Sequence, residues 1–193
     1  MMQKQGDILK GLSKKQVTFH LMFTQCLLIA VSIGLGYMLI GDLDQWLKQF
    51  DFHMDVLWIG GAFGILVVTA DLIMMKLLPS RYYDDGGVNE RIFADRGFFE
   101  IMVLAFIIAV SEELLFRGIL QFHFGLMVAS IVFAVIHIRY WAHWFLIVNV
   151  LTLSFVMGII YDQTGNLLVT IVMHFVIDFL LGLYMRHQAR SEE

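Results

Sequence analysis

The sequence has little charge and almost no proline. Of its 193 residues, 13 are Lys or Arg and 17 are Asp or Glu, so that 16% are charged, against roughly a quarter in a typical soluble domain. With one Pro and 17 Phe, the chain lacks the composition of a disordered or linker-rich protein. Hydrophobic residues make up 59% of it, more than a soluble domain of this size normally carries. The sequence therefore predicts an integral membrane protein.

Cysteine and clustered positive charge are also scarce. Cys26 is the single cysteine and lies inside an apolar run, which excludes an intrachain disulfide and favours a small hydrophobic packing role. The formal net charge is −4, and no basic tract is long enough to form a nucleic-acid surface. We therefore expect the lipid bilayer, and not nucleic acid, as the main partner.

Apolar runs of membrane-spanning length recur along the whole chain. A spanning helix needs about 20 largely apolar residues. Six runs approach or exceed this length: Val17–Ile40, Val56–Leu78, Gly97–Leu120, a shorter Phe122–Ile138, Trp141–Tyr161 and Leu167–Tyr184. The predicted fold is all-α, a polytopic membrane helix bundle of about six transmembrane helices with an intramembrane polar site. Residues 1–193 are predicted to form a single membrane domain.

The distribution of charge between the runs predicts the orientation. Basic residues in short connections favour the cytoplasm. They precede the first run, flank the connection after the second and follow the last, as Lys4, Lys10, Lys14, Lys15, Lys76, Arg81, Arg91, Arg96, Arg186 and Arg190. The connection after the first run is instead acidic, with Asp42, Asp44, Asp51 and Asp55. Both termini are therefore predicted to be cytoplasmic.

Several titratable residues lie inside the apolar runs. An ionised side chain at membrane depth costs at least about 2.5–3.5 kcal/mol, so each one suggests a function. The embedded charged residues are Asp71, Glu112, Glu113, Arg117 and Asp178, and His137 and His174 join them. They predict either a polar site inside the bundle or an ion path. Asp71 belongs to no motif, and its role stays open.

The embedded residues form three short motifs at helical spacing. Glu112, Glu113 and Arg117 read EExxxR, and the four-residue spacing allows Glu113 to pair with Arg117 while Glu112 faces elsewhere. An FxxxH pattern ends at His137, and an HxxxD pattern joins His174 to Asp178 on one helix face. Two imidazoles and two carboxylates that converge can activate a water molecule, with or without a metal.

Each motif alone also has a plain structural explanation. EExxxR is most often a solvated helix face, although this is less common within an apolar run. His137 can satisfy a backbone carbonyl or lie at the membrane interface. His174 and Asp178 can form an ordinary interhelical hydrogen-bond pair.

In this order, the three motifs resemble those of the CPBP family of intramembrane proteases, which includes the type II CAAX prenyl endopeptidases. The segment Tyr161–Leu167 is similar to the family's Tyr…Thr-Gly-Asn/Ser-Leu lead-in to its last histidine motif. The resemblance covers about Glu100–Tyr184, so that residues 97–185 are predicted as the catalytic core. Residues 1–96 are expected to form N-terminal helices without a family signature.

The resemblance implies a role for each matched residue. Glu112 would be the general base that activates water, and His137 would help to hold that water. His174 and Asp178 would complete the site and stabilise the oxyanion. Glu113 and Arg117 would be structural partners that position Glu112.

Asp178 stands where many family members have Asn. An Asn amide donates a hydrogen bond to an oxyanion, whereas an ionised Asp only accepts. Asp178 is therefore protonated, orients His174 as an acceptor, or ligates a cation. The third option predicts a divalent metal such as zinc on His137, His174 and Asp178, and a metal-free glutamate mechanism is the other expectation.

The sequence thus predicts an intramembrane endopeptidase that cleaves a membrane-associated or lipidated protein or peptide. Its small size favours a protein of a bacterial cell membrane. The first alternative is a non-proteolytic membrane-interaction or bacteriocin-immunity protein of the same fold, because a fold does not fix a function. The second is a proton- or ion-coupled transporter, against which stands the lack of internal repeats and of paired Gly- or Pro-broken helices.

Overall fold

Helices account for all the regular structure that the computed structural model describes, which comprises residues 11–141 and 143–191 apart from the side chain of Arg139. Lys4 and Lys10, two of the residues behind the predicted orientation, lie outside these ranges. The helices are α1 (Lys14–Leu39), α2 (Leu43–Leu47), α3 (Met54–Leu77), α4 (Val88–Phe93), α5 (Phe98–Leu115), α6 (Phe122–Ile136), α7 (Trp144–Thr164) and α8 (Leu167–Ser191). A π-helical turn, Phe116–Gln121, joins α5 to α6.

Five helices in this part of the chain are long and apolar enough to cross a membrane: α1, α3, the joined stretch Phe98–Ile136, α7 and α8. The predicted membrane helix bundle is therefore confirmed. The third and fourth predicted runs lie within one stretch of 39 residues. That stretch is far longer than the roughly 20 residues that a bilayer core requires.

The 39-residue stretch folds back on itself at Gly125. The Phe116 and Phe133 ring centroids are 4.8 Å apart, whereas a straight helix would separate these residues by about 25 Å. Gly125 has φ 82° and ψ 171°, a conformation that glycine adopts without steric cost. As a result α6 returns along α5. The part of α6 after the reversal, residues 126–136, is about 17 Å long, which is shorter than a bilayer core is thick.

The contacts between helices fix their directions. Lys14 pairs with Glu100 and Gln25 with Ser111, so α1 and α5 run parallel. His174 contacts Glu113, and Phe179 contacts Phe98, so α8 runs antiparallel to α5. The start of α1 and the end of α8 therefore lie at one face of the bundle, which we call the terminal face.

Two glycines bring α3 against α8, with which it runs parallel. A Cβ atom at Gly60 would lie 2.6 Å from the Val169 carbonyl oxygen, and one at Gly64 would lie 2.8 Å from Val176 Cβ. Small residues four apart allow two membrane helices to approach this closely. The position of α8, which carries His174, is therefore set partly by a helix for which the sequence predicted no signature.

We expect Gly64→Leu to destabilise the bundle because its side chain has no space between α3 and α8. Overpacking of a close contact typically costs about 1–3 kcal/mol, and here the obstacle includes the Met173 carbonyl. Thermal unfolding in detergent micelles measures the loss. Gly61→Leu is the matched control, because a Cβ atom there meets nothing within 4 Å; equal Tm values for the two variants would contradict the close contact.

Candidate active site

A buried ion pair lies at the junction of α5 and the π-helical turn. Arg117 Nη1 donates to Glu113 Oε1 at 2.9 Å, and the two side chains are 1% and 0% exposed. The predicted pairing of these residues is confirmed. The pair offsets two charges that would each be costly to bury alone.

The Arg117 guanidinium also contacts two other helices. Nη2 donates to the Ser154 hydroxyl at 3.0 Å and to the Ser154 carbonyl at 3.1 Å, both on α7. The guanidinium carbon lies 5.0 Å from the centroid of the Phe133 ring on α6, within the range of a cation–π contact. One side chain therefore links three helices.

The junction between α7 and α8 places His174. Gly165 ends α7 in the left-handed conformation, with φ 61°, and Asn166 Oδ1 accepts from the Leu168 amide at 2.9 Å at the start of α8. The Asn166 side chain also donates to the Asp51 carbonyl at 2.5 Å. Helical spacing then places His174 about two turns into α8. The Thr-Gly-Asn-Leu segment therefore acts as a helix stop followed by a helix start.

His174 is the point at which the carboxylates meet. Its Nδ1 lies 2.9 Å from Glu113 Oε1, and because an ionised carboxylate only accepts, the ring nitrogen is the donor. On the other edge of the ring, Nε2 lies 3.6 Å from Asp178 Oδ2 and 4.0 Å from Glu112 Oε2. The structure thus brings Glu112, Glu113, His174 and Asp178 together. The carboxylate that contacts the ring most closely is Glu113.

His137 ends α6 next to this cluster. Its Nδ1 and the Phe133 carbonyl oxygen are 2.6 Å apart, and its ring stacks on Tyr140 with centroids 5.7 Å apart. Because α6 runs antiparallel to α5 and Phe133 contacts Arg117, one further turn places His137 at the level of Glu113. The Nδ1 contact directs Nε2 away from the ring's own helix.

Asp71 lies outside this cluster. Its Oδ1 accepts from Asn149 Nδ2 on α7 at 3.5 Å. Asp71 therefore contributes a contact between α3 and α7, and no described contact links it to His174.

The predicted metal site would consist of His137, His174 and Asp178. No three His, Cys, Asp or Glu side chains among the described residues form a group that could hold a metal ion. The predicted zinc is not tested by this observation and stays a prediction.

Two contacts at this junction were missed in the sequence. Ser154 is 1% exposed, yet an isolated serine in an apolar helix has no distinctive pattern. Trp46 of α2 donates from Nε1 to the Gly118 carbonyl in the π-helical turn at 2.8 Å. The mixed apolar and acidic character of the segment after α1 favours an interfacial helix, but it does not identify the acceptor.

Two comparisons with known proteins find a match. Residues 95–180 match the family model described as "Type II CAAX prenyl endopeptidase Rce1-like". The uncharacterized protein YpbD of Bacillus subtilis (strain 168) is 40% identical over 166 residues, which cover 86% of this chain and 88% of that protein. No solved structure matches the chain.

We expect Arg117→Met to destabilise the protein strongly, because it leaves Glu113 buried without its cation. Breaking one partner of a buried pair costs about 3–5 kcal/mol, measured as the shift in the unfolding midpoint in detergent. Lys14→Met is the matched control: it removes the pair with Glu100, whose side chains are 44% and 48% exposed, and such pairs contribute about 0–1 kcal/mol. Similar losses in the two variants would show that the pair does not stabilise the junction.

Proposed function

Because the chain belongs to the Rce1-like family of type II CAAX prenyl endopeptidases, which are proteases, we propose that it hydrolyses a peptide bond inside the membrane with a glutamate-activated water. The observation that carries this proposal is the convergence of Glu112 and Asp178 on Nε2 of His174. Side chains from α5 and α8 meet there between apolar helices, where an ionisable group is costly unless it serves a function.

Glu112 is the general base in this proposal. Its side chain is 16% exposed, whereas Glu113 beside it is fully buried, so Glu112 is the glutamate that substrate and water can reach. The 4.0 Å between Glu112 Oε2 and His174 Nε2 exceeds a direct hydrogen bond and suits groups that share a small ligand. His137, at the level of Glu113, is proposed to hold the same water from α6.

The reaction follows from these positions. Glu112 takes a proton from the water while the water oxygen forms a bond to the substrate carbonyl carbon, and the carbonyl electron pair moves to its oxygen. The resulting oxyanion is stabilised by a proton on Nε2 of His174. The protonated Glu112 then gives its proton to the amide nitrogen, the oxyanion restores the carbonyl, and the carbon–nitrogen bond breaks.

The remaining carboxylates orient His174. Glu113 accepts from Nδ1 and so fixes the rotation of the ring, while Arg117 holds Glu113. Asp178, four residues along α8 with Oδ2 3.6 Å from Nε2, favours a proton on that nitrogen. In this proposal, Asp178 acts as the acceptor that orients the histidine, and the Glu113–Arg117 pair supports His174 more directly than it supports Glu112.

The proposed substrate is a membrane-associated or lipidated protein or peptide. An open groove of about 320 Å³ between α6 and α7 supports an apolar substrate segment near His137. It is lined by Ile131, Ala134, Val135, Trp141, Ile147 and Leu151. These side chains offer contact surface for hydrocarbon and no group that would select a charged residue.

The decisive variant is Glu112→Gln, which keeps the shape of the side chain and removes the base. We expect peptide release to fall at least about 100-fold, because general base catalysis contributes 10²–10⁴ in rate. Quantitative mass spectrometry of membrane peptides, in cells with wild type or variant, measures the loss and identifies the substrate from the fragment that disappears.

Glu100→Gln is the matched control for this experiment. Glu100 lies at the start of α5 and pairs with the exposed Lys14, so its loss should leave the fragments unchanged. An unaltered peptide profile in cells with correctly folded Glu112→Gln protein would contradict proteolysis. A cellular phenotype that survived in that variant would favour the non-proteolytic alternative.

We also propose that the terminal face is cytoplasmic in a bacterial cell membrane. The basic residues Lys15, Arg81 and Arg186 lie at or just beyond that face, whereas Asp42 and Asp44 follow α1 at the opposite face. Basic loops remain cytoplasmic. The relative YpbD is a protein of a bacterium, Bacillus subtilis.

Alkaline phosphatase fusions test this orientation, because the enzyme is active only outside the cytoplasm. A fusion after Ser191 should be inactive, and a fusion after Asp44 should be active. Fusions of green fluorescent protein, which fluoresces in the cytoplasm, provide the reciprocal control. Activity of the Ser191 phosphatase fusion would reverse the proposed orientation.

A further inference from the structure

We propose that Ser154 is a positioning residue for His174 and acts on it through Arg117 and Glu113. This inference deepens the proposed function, because His174 is the residue that it would hold in place. Ser154 belongs to none of the three motifs. It lies in the middle of α7, a helix that otherwise contributes no polar contact to the cluster among the contacts described above.

Four side chains form one continuous line of contacts. The Ser154 hydroxyl accepts from Arg117 Nη2 at 3.0 Å, and Arg117 Nη1 donates to Glu113 Oε1 at 2.9 Å. The same Oε1 accepts from His174 Nδ1 at 2.9 Å. All four residues are buried, with 1%, 1%, 0% and 5% exposure in that order. Because the line excludes solvent, no exposed group along it can replace a lost contact.

The geometry of the guanidinium explains why one hydroxyl has an effect at a distance. The guanidinium is planar and its donors form a rigid fork. The Phe133 ring, 5.0 Å away, packs against its face, while Ser154 and Glu113 hold two of its nitrogens. Without the hydroxyl, Nη2 keeps the Ser154 carbonyl at 3.1 Å as its remaining α7 acceptor, so the fork can rotate in its plane and move Nη1.

Glu113 has no second contact that would compensate for such a movement. Its Oε2 has no hydrogen-bond partner among the described residues, so Oε1 alone receives both Arg117 and His174. Movement of Nη1 therefore also moves Glu113 Oε1, the atom that accepts from His174 Nδ1. We expect Glu113 to hold the Nδ1 proton of the ring less firmly, so that Nδ1 is unprotonated in part of the molecules.

The test is the ¹⁵N spectrum of ring-labelled histidine in purified full-length protein in detergent micelles. Signals of His174 are assigned by their absence from the His174→Gln spectrum. In wild type we expect protons on both ring nitrogens, and in Ser154→Ala a mixture that includes a form without the Nδ1 proton. This readout requires no substrate, so it is independent of whether the protein proves to be a protease.

Matched variants separate positioning from packing. Ser130→Ala removes another buried hydroxyl, which has no hydrogen-bond partner in the part of the chain that the structure describes, and should retain the wild-type spectrum. Ser154→Thr keeps the hydroxyl and should retain it too. If Ser154→Ala does not fold, Ser154→Cys replaces it, because sulfur keeps the volume and accepts weakly.

Two results would overturn the proposal. One is a wild-type His174 spectrum in folded Ser154→Ala protein, or in Ser154→Cys where that variant is used. The other is the same altered spectrum in the alanine and threonine variants, since the hydroxyl would then be irrelevant. Where the Glu112-dependent fragment is available, Ser154→Ala should also release it about tenfold more slowly at unchanged KM, the pattern of a misplaced catalytic group.

Discussion

The site depends on the neutralisation of one buried arginine. A guanidinium cannot lose its proton in a protein, so Arg117 remains charged however deeply it is buried. Glu113 supplies the opposite charge one helical turn away, and the pair is closed to solvent. The guanidinium has further N–H donors, and Nη2 donates to the backbone carbonyl and the hydroxyl of Ser154 on α7. The same ion pair that makes the charge tolerable thus fixes how α5 and α7 pack.

The Glu113–Arg117 pair sets the orientation of the His174 ring. The ring contacts Glu113 through Nδ1, and its other nitrogen is thereby directed toward Glu112 and Asp178. Two neighbouring glutamates consequently have different surroundings: one is sealed beside a cation, and the other is partly accessible. The distinction arises from the angle of about 100° between successive residues on a helix. A buried support and a reactive carboxylate can therefore be adjacent in sequence.

The sequence predicted the contacts that a single helix determines. Glu113 with Arg117 and His174 with Asp178 are four residues apart, and helical geometry alone brings such pairs together. The contact of His174 with Glu113 was not predicted, because it depends on how two distant helices dock. Gly125 was missed for a related reason: an isolated glycine in an apolar run is common, and nothing local shows whether the helix continues through it or reverses. All six predicted apolar runs are helical in the structure, and the fourth is a short return of the third.

The glycine contact between α3 and α8 has a mechanical consequence. At Gly60 and Gly64 the two backbones lie so close that neither helix can slide along the other without collision. A membrane helix responds to bilayer thickness by tilting, and a tilt of α3 must carry α8 with it. His174 and Asp178 lie on α8, whereas Glu112 lies on α5. The close contact with α3 therefore sets the height of His174 and Asp178 in the bundle, through a helix that bears none of the motif residues.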